Sequence, residues 1–209
     1  MKPITLLAGA LAAVLFIAQS PSTAMAVGEG SNGEDKYPLY ARGGYDSGNS
    51  PLGGFLSEIR VGAFVHDFGP FGSRKESGYS GNLEVLFESP DFLDIIWAPR
   101  PHLGVTGHTK GDTHQAYFGL TWDVDFLDDF FLDLSFGGSV HTGNLEYEFG
   151  QENQKNLGCR LLFRESIALG YRITANHNIS AHLDHISNAS LCSENEGLDN
   201  LGLRYGYRF

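Results

Sequence analysis

His185 and Ser187 stand two residues apart, and Asp199 follows the histidine by fourteen. A hydroxyl beside an imidazole that a carboxylate orients is an arrangement that opens esters. The imidazole takes the serine proton and later returns it to the departing alkoxide, while the carboxylate holds the ring's tautomer and stabilises the imidazolium. On an extended strand His185 and Ser187 share a face, with Cα atoms roughly 6.5–7 Å apart, within side-chain reach. Asp199 would approach from a neighbouring strand about 5 Å to the side. The Asn188 amide can turn toward a developing oxyanion, together with backbone N–H groups of the 189–191 turn. Spacing by itself does not establish an enzyme, because His-x-Ser is common by chance. Two rim residues at the start of a hydrated loop would read the same way.

The elements that must position these side chains are strands. Ile59, Val61, Ala63 and Val65 alternate with Glu58, Arg60, Gly62 and Phe64. Ala116, Phe118, Leu120, Trp122, Val124 and Phe126 alternate with Gln115, Tyr117, Gly119, Thr121, Asp123 and Asp125. Leu132, Leu134, Phe136 and Val140 alternate with Asp133, Ser135, Gly137 and His141. A period of two sustained this long means strands whose two faces meet different solvents. Similar runs near 82–88, 102–108, 157–171, 176–188 and 198–209 bring the total to eight. Residues 128–129 and 174–177 are expected to be tight turns, and 69–77, 143–156 and 189–197 longer loops.

Eight alternating strands fit either a soluble barrel with apolar side chains inside or an outer-membrane barrel with apolar side chains on lipid. The end of the chain favours the second. Leu201, Leu203, Tyr205, Tyr207 and Phe209 alternate without a break and finish on an aromatic residue, which suits a closing strand that contributes to an interfacial girdle. Glu84, Asp123, Asp133 and Arg160 would then pair in the lumen. The expected fold is all-β, an eight-stranded antiparallel transmembrane β-barrel of the outer-membrane type over residues 55–209. With short turns on the periplasmic side, residues 185–199 come to the outer rim. His185, Ser187 and Asp199 are in phase with the lipid-facing set there, where polar groups are less costly than at mid-depth.

Composition agrees with an exported, folded chain. Among 209 residues, 25 are acidic and 14 are Lys or Arg, for a net charge of −11. That balance argues against a nucleic-acid surface, which needs a basic stripe. Lys2, an uncharged apolar run over 4–18 and Ala24-Met25-Ala26 have the pattern of a secretory signal peptide over residues 1–26. Residues 27–54 are Gly-, Ser-, Asn- and Asp-rich without periodicity and are expected to be a flexible N-terminal segment. Cys159 and Cys192 both fall near the outer rim, and in an oxidising envelope they could pair or stay free. His102, His108 and His114 lack metal-ligand spacing and read as lumen or loop residues.

The segment His185-Ile186-Ser187-Asn188-Ala189-Ser190-Leu191, with Asn195-Glu196-Gly197-Leu198-Asp199, resembles the lipid A 3-O-deacylase family of outer-membrane barrel enzymes. The resemblance is strongest over 185–209 and extends weakly to residues 57–62 and 163–166. It implies that His185 is the general base, Ser187 the nucleophile and Asp199 the orienting carboxylate. Asn188 matches an oxyanion-hole Asn, and Asn195 a downstream loop Asn. The best-known members carry Glu where this chain has Asp199, so the carboxylate stands one methylene closer to its strand; Glu196 is a fallback partner, out of phase. The implied activity removes an ester-linked 3-hydroxyacyl chain from the 3 position of lipid A, with no metal or other cofactor. The partners implied are lipopolysaccharide as substrate, outer-membrane lipid and no nucleic acid, with a homodimer left open. Localisation is the bacterial outer membrane, with the site at the outer-leaflet level. The competing reading is a non-catalytic small barrel serving structure, adhesion or stress response, which leaves the His, Ser and Asp as coincidence.

Overall fold

The computed structural model describes residues 54–72 and 74–209. The expected signal peptide and nearly all of the 27–54 segment lie outside the described residues. Eight strands follow one another: β1 (Leu56–His66), β2 (Tyr79–Phe87), β3 (Arg100–His108), β4 (Gln115–Phe126), β5 (Phe130–His141), β6 (Leu161–Arg172), β7 (His177–Ser187) and β8 (Leu198–Arg208). Each pairs antiparallel with its sequence neighbour, and β1 closes the barrel on β8, from Glu58 opposite Arg208 to His66 opposite Asn200. Closure leaves none of these eight described strands with an unpaired edge, which a bilayer demands because lipid offers backbone groups no hydrogen bonds.

The alternation of the sequence becomes two surfaces. Leu103, Phe118 and Leu203 point outward and are 56–68% exposed, whereas Glu58, Arg60, Glu84, Arg164 and Asp184 on the inner face are at most 2% exposed. A soluble barrel would reverse this distribution, so the protein is an outer-membrane-type barrel with apolar residues toward lipid. Aromatic side chains gather at the rim that carries the 127–129 and 173–176 turns. There Phe130 meets Tyr171 at 5.1 Å between ring centres, and Tyr207 meets Phe209 at 5.3 Å, as in an interfacial girdle.

The lumen is filled by interlocked ion pairs. Arg60 donates to both oxygens of Glu58 (2.8 and 3.0 Å) and lies 2.9 Å from Asp133. Arg100 grips Asp123 through two nitrogens at 2.5 and 2.6 Å, and Arg204 does the same with Glu84 at 3.0 and 3.1 Å. The Arg164 guanidinium lies over the Tyr117 ring, 3.7 Å from its centre. Two-pronged Arg–carboxylate contacts fix geometry as well as charge. Removing one partner strands the others without water, and such losses cost about 3–5 kcal/mol. Arg60→Met is accordingly expected to lower barrel stability by about that amount, read as a shift to lower urea of the midpoint for loss of heat-modifiable gel mobility.

Two expectations need correction. Residues 157–160 belong to the connection before β6, not to the strand, because that stretch turns at Gly158 with φ of 77°. Arg160 is exposed and not in the lumen; it donates to the backbone carbonyls of His141 and Gly143 at the rim. The 88–99 connection also contains a short 3-10 helix, Asp91–Ile96, which exposes Phe92 and Ile95 and has no counterpart in the alternation pattern.

Candidate active site

The connections 67–78, 109–114, 142–160 and 188–197 share one rim, opposite that of the tight turns. Beneath them Leu157, Leu162, Ile186 and Leu198 form a small buried apolar cluster. Ile186 and Leu198 belong to its inward face, so their neighbours His185, Ser187 and Asp199 take the outward one. The lipid-facing phase of β7 and β8 therefore runs unbroken to this rim: Ala181 opposite Leu203, Leu183 opposite Leu201, then His185 opposite Asp199.

His185 and Asp199 are joined. Nδ1 of the imidazole lies 2.5 Å from Oδ1 of the carboxylate. Asp199 is 1% exposed although it points away from the lumen, because the 67–78 connection folds over it. The backbone N–H groups of Phe71 and Gly72 donate to its other oxygen at 2.8 and 3.0 Å, and Phe68 N–H donates to its carbonyl at 2.9 Å. The Phe71 ring meets the imidazole edge-on at 5.4 Å. Gly197 packs on the other side: its φ is 61°, and a Cβ there would sit 2.8 Å from His185 Cε1. Glycine suits both the left-handed backbone and the close approach.

Ser187 ends β7 on the same face as His185, opposite Phe163 of β6. Among the described residues no hydrogen bond joins its hydroxyl to the imidazole. Asn188 is buried and serves as a loop tie. Its amide nitrogen donates to the carbonyls of Leu157 and Glu194, and its backbone N–H donates to Asn195 Oδ1 at 2.9 Å. Both amide hydrogens are thus engaged by backbone oxygens. Asn195 is exposed, and its amide nitrogen has only a long contact of 3.4 Å to Ser190 Oγ. Ala189 and Ser190 adopt φ of 53° and 63°, so the chain turns sharply just past the serine. Glu196 is taken up elsewhere, pairing with Lys75 and accepting from Asn156 N–H at 2.7 Å; it is not a partner of His185. Cys159 and Cys192 are bonded, with Cα atoms 6.0 Å apart, and tie the 142–160 and 188–197 connections together.

Sequence reasoning missed the contribution of the 67–78 connection. It also gave no role to Glu165, which faces outward beside His185 as its cross-strand partner on β6. The only sequence signals for the loop contact were Gly69 and Gly72, two small residues in a stretch without periodicity. A Cβ at Gly69 would collide with the Asp199 side chain.

A family model described as lipid A 3-O-deacylase (PagL) matches residues 95–208, more than half of the chain. The lipid A deacylase PagL of Bordetella bronchiseptica is 30% identical over 80 residues, a match spanning 38% of this chain and 42% of that relative. The aligned part is thus less than half of the curated relative's length. The crystal structure of the outer membrane enzyme PagL superposes with a TM-score of 0.56 at 19% identity, over 73% of this chain and all of that one. The matched family segment runs from the 3-10 helix to the end of β8 and includes every residue of the His185–Asp199 constellation. By that match, the chain belongs to the lipid A 3-O-deacylase family.

Proposed function

We propose that the protein is an outer-membrane serine esterase that removes an ester-linked 3-hydroxyacyl chain from the 3 position of lipid A. The observation that carries this reading is the His185–Asp199 pair, 2.5 Å apart on the outward face at the rim, with Ser187 next on that face. Ser187 Oγ attacks the ester carbonyl as His185 Nε2 takes its proton. The tetrahedral oxyanion collapses, the bond to the glucosamine oxygen breaks, and the imidazolium protonates that leaving oxygen. Water then enters, His185 takes one of its protons, and the seryl ester opens to release the 3-hydroxy fatty acid and restore Ser187. Asp199 keeps the proton on Nδ1, so that Nε2 is free to act as base. Asn195, with the backbone N–H groups of the 189–190 turn, supplies donors to the oxyanion. Asn188 joins them only by releasing a loop carbonyl, and otherwise it supports the turn.

The substrate follows from where these groups point. A site on the lipid-facing wall, level with the outer leaflet, meets acyl esters of lipopolysaccharide without lifting the lipid from the bilayer. Below His185 the wall continues as Leu183 and Leu201, and further down, toward the girdle of the opposite rim, lies a shallow groove of about 650 Å³ lined by Ala181, Leu203, Ile179, Tyr171 and Phe130. Ala181 is six residues below Ser187, roughly 20 Å along a strand, so an extended acyl chain whose ester lies at Ser187 runs over Leu183 and reaches the groove at its far end. Lipid A from cells making the protein is expected to lose the mass of one 3-hydroxyacyl group relative to cells without it, read by mass spectrometry. Identical lipid A from both, with folded barrel in the membrane, would refute the proposal.

A further inference from the structure

The 67–78 connection closes down over the carboxylate at 199. Three backbone N–H groups of this connection hold Asp199, two on Oδ2 and one on its carbonyl. Oδ1 is thereby left for His185. The connection carries one backbone bond to β8, from Phe68 N–H to the Asp199 carbonyl. It is held from beneath by buried charges. Asp67 Oδ2 accepts the backbone N–H groups of Lys75 and Glu76 at 2.6 and 2.9 Å, while Oδ1 pairs with Lys155 Nζ at 3.1 Å. Lys155 comes from the 142–160 connection, is fully buried, and reaches to 3.1 Å from where a Cβ of Gly72 would be. The Glu76 carboxylate accepts from Thr113 Oγ1 (2.9 Å) and Lys155 N–H (3.0 Å), and lies 2.7 Å from His66 Nε2. Burial pushes the Glu76 carboxyl up, but these hydrogen bonds outweigh it and hold the group below its ordinary range. The result is a path of contacts through the connection: Lys155 to Asp67, Asp67 to the backbone of Lys75 and Glu76, and, from Phe71 and Gly72 of the same connection, to Asp199 and on to His185.

We infer that the 67–78 connection, clamped by Lys155, is the positioning device of the His185–Asp199 pair, with Gly69, Asp67, Glu76 and Lys155 acting as positioning residues through Asp199. This rests on the active-site reading proposed above. A loop that aims the carboxylate affects turnover, because a misplacement of about 1 Å in a catalytic group can cost a hundredfold. It affects substrate binding little, because none of its buried groups faces the acyl groove.

The test uses the full-length protein in micelles with purified lipopolysaccharide, keeping only variants whose gel mobility remains heat-modifiable. Gly69→Ala, which pushes the loop off Asp199, and Lys155→Met, which removes the clamp, are each expected to lower kcat about tenfold to a hundredfold with KM moving less than threefold. The downfield proton resonance of His185 Nδ1–H is expected to broaden or move upfield in both. In an Asp199→Asn background the same substitutions should change turnover less than twofold, since the group they act through is already disabled. Full, additive losses in that background, or unchanged kcat in the folded single variants, would overturn the inference while leaving the active-site reading standing. Unchanged turnover in Asp199→Asn alone would overturn both.

Discussion

Ser187→Ala is expected to abolish lipid A deacylation, lowering turnover by about six orders of magnitude, the scale seen when a serine hydrolase loses its nucleophile. The change removes one oxygen at the end of β7, where the side chain is half-buried and hydrogen-bonds no described neighbour. Fold and membrane insertion should be untouched, as is usual for substitutions away from packed or paired groups. Mass spectrometry of lipid A from cells producing the variant, with heat-modifiable mobility as the folding control, separates the two effects. Persisting deacylation by a folded Ser187→Ala barrel would exclude the seryl-acyl route.

Asp199→Asn carries the second large effect, and the local hydrogen bonds fix its sign. Phe71 and Gly72 present two N–H donors to one side of residue 199. An Asn there must turn its carbonyl oxygen toward them and its NH2 toward His185. The imidazole then has to accept at Nδ1 and carry its proton on Nε2, the tautomer that cannot take the serine proton. In soluble serine proteases that exchange costs about 10⁴ in kcat, and a loss of that order is expected here with the barrel intact. Steady-state deacylation of micellar lipopolysaccharide measures it; a loss of less than tenfold would mean that the pair at 2.5 Å does not set the base.

Much of this was legible because strands and lipid both impose simple rules. The period of two over residues 115–126 and 130–141 assigns an inner and an outer face without reference to any contact, and the structure keeps those faces. His185 and Asp199 could be placed beside each other because adjacent strands ending at one rim leave little freedom of register, and they are cross-strand partners. What pattern could not supply was everything the connections do. The amides of Phe71 and Gly72 lie more than 120 residues from Asp199 in the chain, and backbone donors carry no residue-type signature. Asn188 shows the converse difficulty. Its type suits an oxyanion hole, yet its donors are engaged by Leu157 and Glu194, carbonyls that any residue could provide. The charge of Arg160 suits a lumen, but strand phase does not extend into a turning loop, and the side chain lies at the rim.

Arginine and carboxylate side chains meshed across the whole bore have a consequence beyond stability. A cylinder stoppered in this way is not built as the open, water-filled channel that wider barrels enclose. Traffic to the site proposed on the outer wall would instead arrive sideways, by diffusion in the plane of the leaflet.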